Sequence, residues 1–370
     1  MEGEDIQGIV IDTGSGLCKA GFSGDDAPRA VLPTYVGRTR MPAAQGASDQ
    51  RDYYVGEEAR SKCDLLNLKK PVERSQITDW EDIEKVWHHT LFMELRIVPD
   101  NHPLLLTEPP NNPKLSREKI TQIMFESFNI PAFYLANQAV LSLYATGRTS
   151  GVAIDSGEGS TFAVPIYEGY ALPYATKSMG ISGADLTEKL QGMLKAKGHS
   201  LNSPASKELV RDIKEKLCYV AMEPGEELNS SSLEKNYELP DGTSVTLDQE
   251  RFQCPEEYFN PSSPELEGIH TTIHRAINKS DVEIRKELFN NLVLTGGSTL
   301  FPGFTERIVK EMTGIAGANT KVKVVAPSER LYSVWIGGSV LAALSTFQQM
   351  WITKAEFDEA GPTIVNRKCF

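Results

Sequence analysis

Short apolar runs bounded by glycine or proline alternate along this chain with longer stretches whose apolar residues recur every third or fourth position. The short runs, several of them β-branched, predict strands at residues 8–12, 17–22, 103–107, 152–155, 161–167, 292–295 and 322–325. Helical spacing is clearest at 203–221, where Ser203 can cap, Pro204 suits the first helical position, and Leu209, Ile213, Leu217 and Val220 share a face. Lys207, Arg211 and Lys214 fall on the opposite face. A second helix at 116–128 turns Ile120, Ile123 and Phe128 inward and stops near Pro131, because a residue before proline avoids the helical region. A third, at 332–351, sets Val340, Leu341, Leu344, Phe347 and Trp351 at helical intervals. Strands alternating with such helices predict an α/β layered fold.

One strand-turn device occurs twice in this pattern. Asp12-Thr13-Gly14-Ser15-Gly16 follows Ile9-Val10-Ile11, and Asp155-Ser156-Gly157-Glu158-Gly159 follows Val152-Ala153-Ile154. A phosphate tail needs many N–H donors at close range, and glycine lets the backbone approach and converge on one anion. The leading carboxylates would repel bare phosphate but suit hydrated magnesium set between acid and phosphate. Lys19 adds a point charge. A third turn, Thr295-Gly296-Gly297-Ser298, could admit a nucleoside at close range. Two other readings fit the first two turns alone: the paired aspartates of a pepsin-like protease sharing one proton, or a plain pair of glycine-containing hairpins. The polar loop 38–51 and the two-proline loop 260–264 carry no catalytic constellation and read either as partner contacts or as plain exposed loops. His88-His89 has no third ligand in view, and adjacent helical residues diverge, so a structural role is expected there.

Composition narrows these readings. At 370 residues the chain has room for two or more domains of ~100–200 residues, and 40% hydrophobic with 24% charged residues describes an ordinary globular protein. A net charge of −12 argues against nucleic acid and anionic membranes as partners and favours basic surfaces, with Glu2-Gly3-Glu4-Asp5, Asp25-Asp26 and Glu356-Phe357-Asp358-Glu359 as candidate contacts or simply solvated faces. The 5 cysteines are scattered without a C-x-x-C pair, which points to neither a disulfide framework nor zinc and fits a reducing cytoplasm. No signal-peptide pattern and no uninterrupted apolar run of about 18 residues predicts membrane insertion. Pepsin-like enzymes are mostly secreted and nearly all β, so that reading weakens.

The stretches DTGSGLCKAGFSGDDAPRAVLP, WHHTLFMELRI, TQIMFESFN, DSGEGSTFAVPIYEGYALP, VRDIKEKLCYVAM, SLEKNYELPDG and YSVWIGGSVLAALSTFQQMW resemble actin, over residues 9–370. That resemblance implies the actin-like ATPase fold: two related α/β domains flanking a nucleotide cleft that holds ATP or ADP with magnesium or calcium. The outer domain would comprise 1–145 and 333–370, with 34–70 as its small upper lobe. The inner would comprise 146–332, with 182–264 as its upper lobe, and crossings at 138–145 and 329–333 would act as hinges. Asp12, Gly14, Ser15, Gly16, Leu17 and Lys19 correspond to the first phosphate loop, and Asp155, Gly157, Glu158, Gly159 and Ser160 to the second. Gly183, Arg211, Lys214, Glu215, Gly297, Ser298, Phe301 and Leu331 match the remaining nucleotide contacts. Asp12 and Asp155 would hold the hydrated cation, and Gln138 would orient the attacking water.

The resemblance further implies a cytoplasmic, cytoskeletal filament built head to tail, with slow ATP hydrolysis that polymerisation stimulates and that times filament turnover. A groove near Tyr144, Thr149, Ile336, Val340, Leu344 and Met350 would receive helices of profilin-like, gelsolin-like or cofilin-like regulators, and myosin-type motors belong to the same partner set. Cys369 would be reactive if exposed. Departures from the family pattern bear on these expectations. Phe162 and Arg74 each replace a histidine, Leu331 a lysine and Glu158 an aspartate, and both variable loops differ from the family's filament contacts. Phe162 and the two altered loops motivate an alternative, a nonpolymerising actin-related scaffold with structural ATP. A small-molecule kinase on the same core would need an aspartate base that no segment supplies.

Overall fold

The computed structural model describes residues 7–39, 51–199, 201, 203–229, 233–317 and 319–370. The acidic stretch 2–5 and positions 40–50 of the polar loop lie outside the described residues.

Two six-stranded sheets organise the chain, and their centres repeat one plan. In the first, Ile9–Thr13 pairs antiparallel with Leu17–Phe22 and parallel with Leu104–Glu108, which pairs parallel with Ala132–Asn137. In the second, Gly151–Ser156 pairs antiparallel with Thr161–Tyr167 and parallel with Leu292–Thr295, which pairs parallel with Val324–Val325. Ile9, Val10 and Ile11 are fully buried, as are Val152, Ala153 and Ile154. Strands covered on both faces read as continuous apolar runs, which is why these segments were legible. Register makes the repeat specific: Asp12 and Asp155 are each the penultimate residue of a central strand, opposite Lys19 and Phe162 respectively.

Helix Gln138–Tyr144 joins the two halves. Asn137 caps it by accepting from the Ala139 N–H at 2.9 Å, and Ala139, Val140 and Leu143 pack with Ala153, Val164 and Val293 of the second sheet. Helix Ser333–Ala343 lies against it so closely that only a glycine at 337 can meet the Leu141 carbonyl.

Three predicted elements need correction. The helix expected over 332–351 ends at Ala343, Leu344 turns extended, and a 3-10 helix follows at Ser345–Met350. The apolar spacing continues through the break because Phe347 and Trp351 pack edge-on, with Phe347 also against Tyr134 at 4.9 Å, a contact a straight helix would not make. Helix Pro204–Leu217 stops four residues short of the predicted 203–221 and turns Val210, Ile213 and Lys214 inward, so Lys214 leaves the polar face assigned to it. Strand 322–325 pairs only at Val324–Val325.

Candidate functional site

Ligands of open α/β sheets sit beyond the carboxyl ends of the strands, and here the strand ends of both sheets line one cavity of about 450 Å³. The two glycine turns are built alike. Gly14 N–H donates to Leu17 O at 3.0 Å, and Gly157 N–H donates to Ser160 O at 2.9 Å. Their outward carbonyls are tied back: Thr34 bonds Gly14 O and Gly16 O, while the N–H groups of Gly183 and Ala184, at the start of helix Gly183–Ala196, bond Gly157 O and Glu158 O. The N–H groups of Ser15, Gly16, Glu158 and Gly159 meet no acceptor among the described residues. Free donors in a cavity wall are a ready anion cradle. The turns also interlock, since a Cβ at Gly159 would strike Ser15 Oγ and come within 2.7 Å of Ser15 Cβ.

Charge in the cavity is unevenly compensated. Asp12 is almost fully buried; its Oδ2 accepts from Lys19 Nζ at 2.9 Å, and its Oδ1 from Thr107 Oγ1 at 2.7 Å and Gln138 Nε2 at 3.2 Å. Asp155 has no such partner set, and burial together with the Asp12 charge pushes its carboxyl up to about 6. A pepsin-like shared proton does not fit, because Asp12 is committed to three donors. Burial also pushes Glu158 up, but Lys70, Lys214 and Arg211 outweigh it and hold that carboxyl below the usual range.

Nearly every residue proposed from the sequence lines this cavity: Gln138, both aspartates, both phosphate-loop sets, Arg211, Lys214, Glu215, Gly297, Ser298, Phe301 and Leu331. Gly183 does not line it and instead stands behind the second turn. Lys214 braces the same place by donating to Gly183 O at 2.7 Å and Thr187 Oγ1 at 2.8 Å, and burial lowers its ammonium below the ordinary value. Leu331 approaches Gly297, where an added Cβ would sit 3.2 Å from its Cδ1. Phe162 does not line the cavity and packs against the cluster around Val140 and Leu143.

Sequence reasoning missed several members. Arg60, Ser75 and Pro109 line the cavity, and Ser75 reaches both turns, with its N–H on Ser15 Oγ at 3.2 Å and its hydroxyl 2.5 Å from Ser160 Oγ. No local motif marks Ser75, because it arrives from the hairpin Val72–Glu73/Gln76–Ile77 by tertiary closure. Thr107 was findable: a residue at the carboxyl end of a strand parallel to Ile9–Thr13 must lie beside Asp12.

A family model described as Actin matches residues 3–370. The chain belongs to the actin family. The α/β fold expected from the resemblance to actin holds. Actin-family proteins are ATP-binding and share the ATPase fold, and they generally take a nucleotide with a divalent cation. The family is cytoskeletal in general and suggests self-association and actin-binding partners.

Away from this cavity, the groove residues divide. Tyr144, Leu344 and Met350 line a cavity of about 270 Å³ with Tyr134, Leu341, Phe347 and Phe370, whereas Thr149, Ile336 and Val340 lie outside it. The helix break at Leu344 explains the change, since it brings Phe347 to the groove in place of a continued helical face. Cys369 is buried with its thiol pushed up to about 12 by desolvation, so the reactive cysteine expected on exposure is not offered. His89 lies 3.2 Å from Glu94 and His88 packs on Phe92.

Proposed function

We propose that this actin-family chain binds ATP with magnesium or calcium between its two sheets, hydrolyses it slowly, and assembles head to tail into a cytoskeletal filament whose turnover hydrolysis regulates. The observation that carries the nucleotide reading is the pair of interlocked turns whose four free N–H groups meet in one cavity. Residues 1–145 and 333–370 form the outer domain in this reading and 146–332 the inner, with 138–145 and 329–333 as hinges.

The donor chemistry fits a divalent cation, because Asp12 and Asp155 are carboxylates of one low-solvation site, and Asp155 is raised by burial first and by the Asp12 charge second. A bound cation supplies charge compensation for the phosphate tail. The chain's own residues then do the rest. The turn amides and Lys19 hold the phosphates, the Gly296-Gly297 turn with Phe301 and Leu331 receives the nucleoside, and Gln138 orients a water in line. Lys70 pairs with Glu158 at 2.9 Å and Arg74 with Asp185 at 2.6 Å, ties that hold the upper lobe over the turns and exclude solvent.

The groove around Tyr144, Leu344 and Met350 receives an apolar helix face of profilin-like, gelsolin-like or cofilin-like regulators. Among the described residues no helix is long and apolar enough to cross a membrane, and the reading places the protein in the cytoplasm.

The test joins two measurements on the purified chain. Fluorescent-ATP titration with and without magnesium should show cation-dependent binding, and high-speed pelleting with magnesium-ATP and salt should show sedimentation above a sharp concentration threshold. Binding without sedimentation at any concentration would replace the filament with the scaffold reading. Absence of binding would refute the site.

A further inference from the structure

The repeated plan of the two sheets makes their differences informative. Each central aspartate has a threonine beside it on the next parallel strand: the register Ile11↔Leu106 carries Asp12 to Thr107, and Asp155 pairs with Thr295. The two threonines do different things. Thr295 gives its hydroxyl to Arg330 O at 3.3 Å, away from Asp155. Thr107 gives its hydroxyl to Asp12 Oδ1 at 2.7 Å and stands 3.2 Å from Gln138 Nε2.

Donor directions in this cluster are fixed by chemistry. An ionised carboxylate only accepts, so the Gln138 atom 3.2 Å from Asp12 Oδ1 must be the amide nitrogen. The single proton of Thr107 goes to Asp12 at the shorter distance, so its oxygen is an acceptor toward Gln138, and the Gln138 amide nitrogen shares its donation between Thr107 Oγ1 and Asp12 Oδ1. Lys19 fills Asp12 Oδ2 and keeps the carboxylate from turning. The Gln138 amide nitrogen is thereby turned to Asp12 and Thr107 together, and Oε1, which meets no donor among the described residues, is left to the cavity that Gln138 lines.

We propose that Thr107 is a positioning residue for ATP hydrolysis: by accepting, together with Asp12, from the amide nitrogen of Gln138, it fixes Gln138 Oε1 as the acceptor that orients the attacking water. With Asp12 alone the amide pivots about one bond; with Thr107 it is held at two. This rests on the nucleotide reading above. Thr107 does not itself line the cavity, so its effect falls on orientation and not on nucleotide binding. The second half of the molecule has no equivalent, since Thr295 is turned to Arg330 and Phe162 stands where the first sheet has Lys19.

The experiment compares wild type with Thr107→Val, which keeps the shape and removes the hydroxyl, and Thr107→Ser, which keeps the hydroxyl. Three quantities are read: ATP affinity, single-turnover hydrolysis rate, and the side-chain amide resonances of Gln138 in protein labelled with 15N-glutamine, assigned by their loss in Gln138→Glu. Thr107→Val should slow hydrolysis by about ten- to a hundredfold, the scale set by a misplaced reacting group, with unchanged ATP affinity. Its Gln138 amide protons should exchange faster with solvent, and Thr107→Ser should restore both rate and protection. Wild-type hydrolysis in Thr107→Val would overturn the proposal. So would equal losses of affinity and rate that serine fails to restore, which mark a purely structural threonine. A wild-type protein that binds no ATP would overturn the nucleotide reading as well; one that binds and hydrolyses normally while Thr107→Val leaves the amide signals unchanged would overturn the inference alone.

Discussion

Replacing Lys70 by methionine should speed nucleotide release, and the structure sets the scale. Lys70 Nζ sits 2.9 Å from Glu158 Oε1, and the two side chains are 26% and 18% exposed. Lys70 belongs to the upper-lobe segment and does not line the nucleotide cavity, whereas Glu158 is part of the second turn, so the pair is a strap across the opening. Exposed ion pairs contribute about 0–1 kcal/mol and hydrogen bonds to charged groups about 1.5–3 kcal/mol; a pair of this exposure falls near the boundary, at about 1.5 kcal/mol. If the strap must open before nucleotide leaves, that loss raises the release rate about tenfold. Methionine keeps the stem that packs in the mouth of the cleft, which isolates the charge. Stopped-flow chase of a fluorescent nucleotide by excess ATP reads the rate directly. The neighbouring pair Arg74–Asp185 is an internal control: with Arg74 61% exposed it is more strongly screened, so Arg74→Ala should have a smaller effect that vanishes at high salt. Release unchanged in Lys70→Met, or a double-mutant cycle with Glu158→Gln showing no coupling, would refute the strap.

Three further outcomes follow from the same geometry. Gly159→Ala forces a methyl onto Ser15, and overpacking of this kind costs about 1–3 kcal/mol; since the two turns must separate, ATP affinity should fall by about five- to a hundredfold by fluorescent titration, and unchanged affinity would show that the interlock is irrelevant. Asp155, raised from 3.8 to about 6, holds its proton more tightly folded than unfolded, so its contribution is present at low pH and lost as pH rises from about 4 to about 6. In chelator without nucleotide, the unfolding free energy of Asp155→Asn from denaturant titration should therefore gain on wild type across that window, by up to about 3 kcal/mol at 1.36 kcal/mol per unit, and magnesium should close the gap; a gap that does not vary with pH would contradict this. Cys18, Cys218, Cys254 and Cys369 are buried while Cys63 is half-buried, so a disulfide reagent at pH 8 should titrate at most one thiol before denaturant, and rapid labelling mapped to Cys369 would be the contrary result.

Local sequence determined a good deal of this protein. The runs Ile9-Val10-Ile11 and Val152-Ala153-Ile154 had to be buried on both faces, and the glycine turns after them needed a close approach that side chains would block, so strands, turns and the repeated device were all written in short windows. The long collinear stretches resembled actin without any coordinates, and the family match over residues 3–370 agrees. What spacing could not give was which residues from distant segments meet. Lys214 reads as polar-face surface by helical period, yet it is buried with its ammonium donating to Gly183 O and Thr187 Oγ1 at the start of helix Gly183–Ala196. The apolar stripe at 340–351 continues through a broken helix, because burial rewards spacing and is indifferent to whether the backbone between is α, extended or 3-10. Ser75 carries no motif and reaches the turns only through the hairpin Val72–Glu73/Gln76–Ile77, while Thr107, marked by no more than its place at a strand end, touches Asp12 because two strands far apart in sequence run parallel in register. A periodicity reports what one segment needs, whereas a site is a meeting of several segments, and only the tertiary structure chooses the partners.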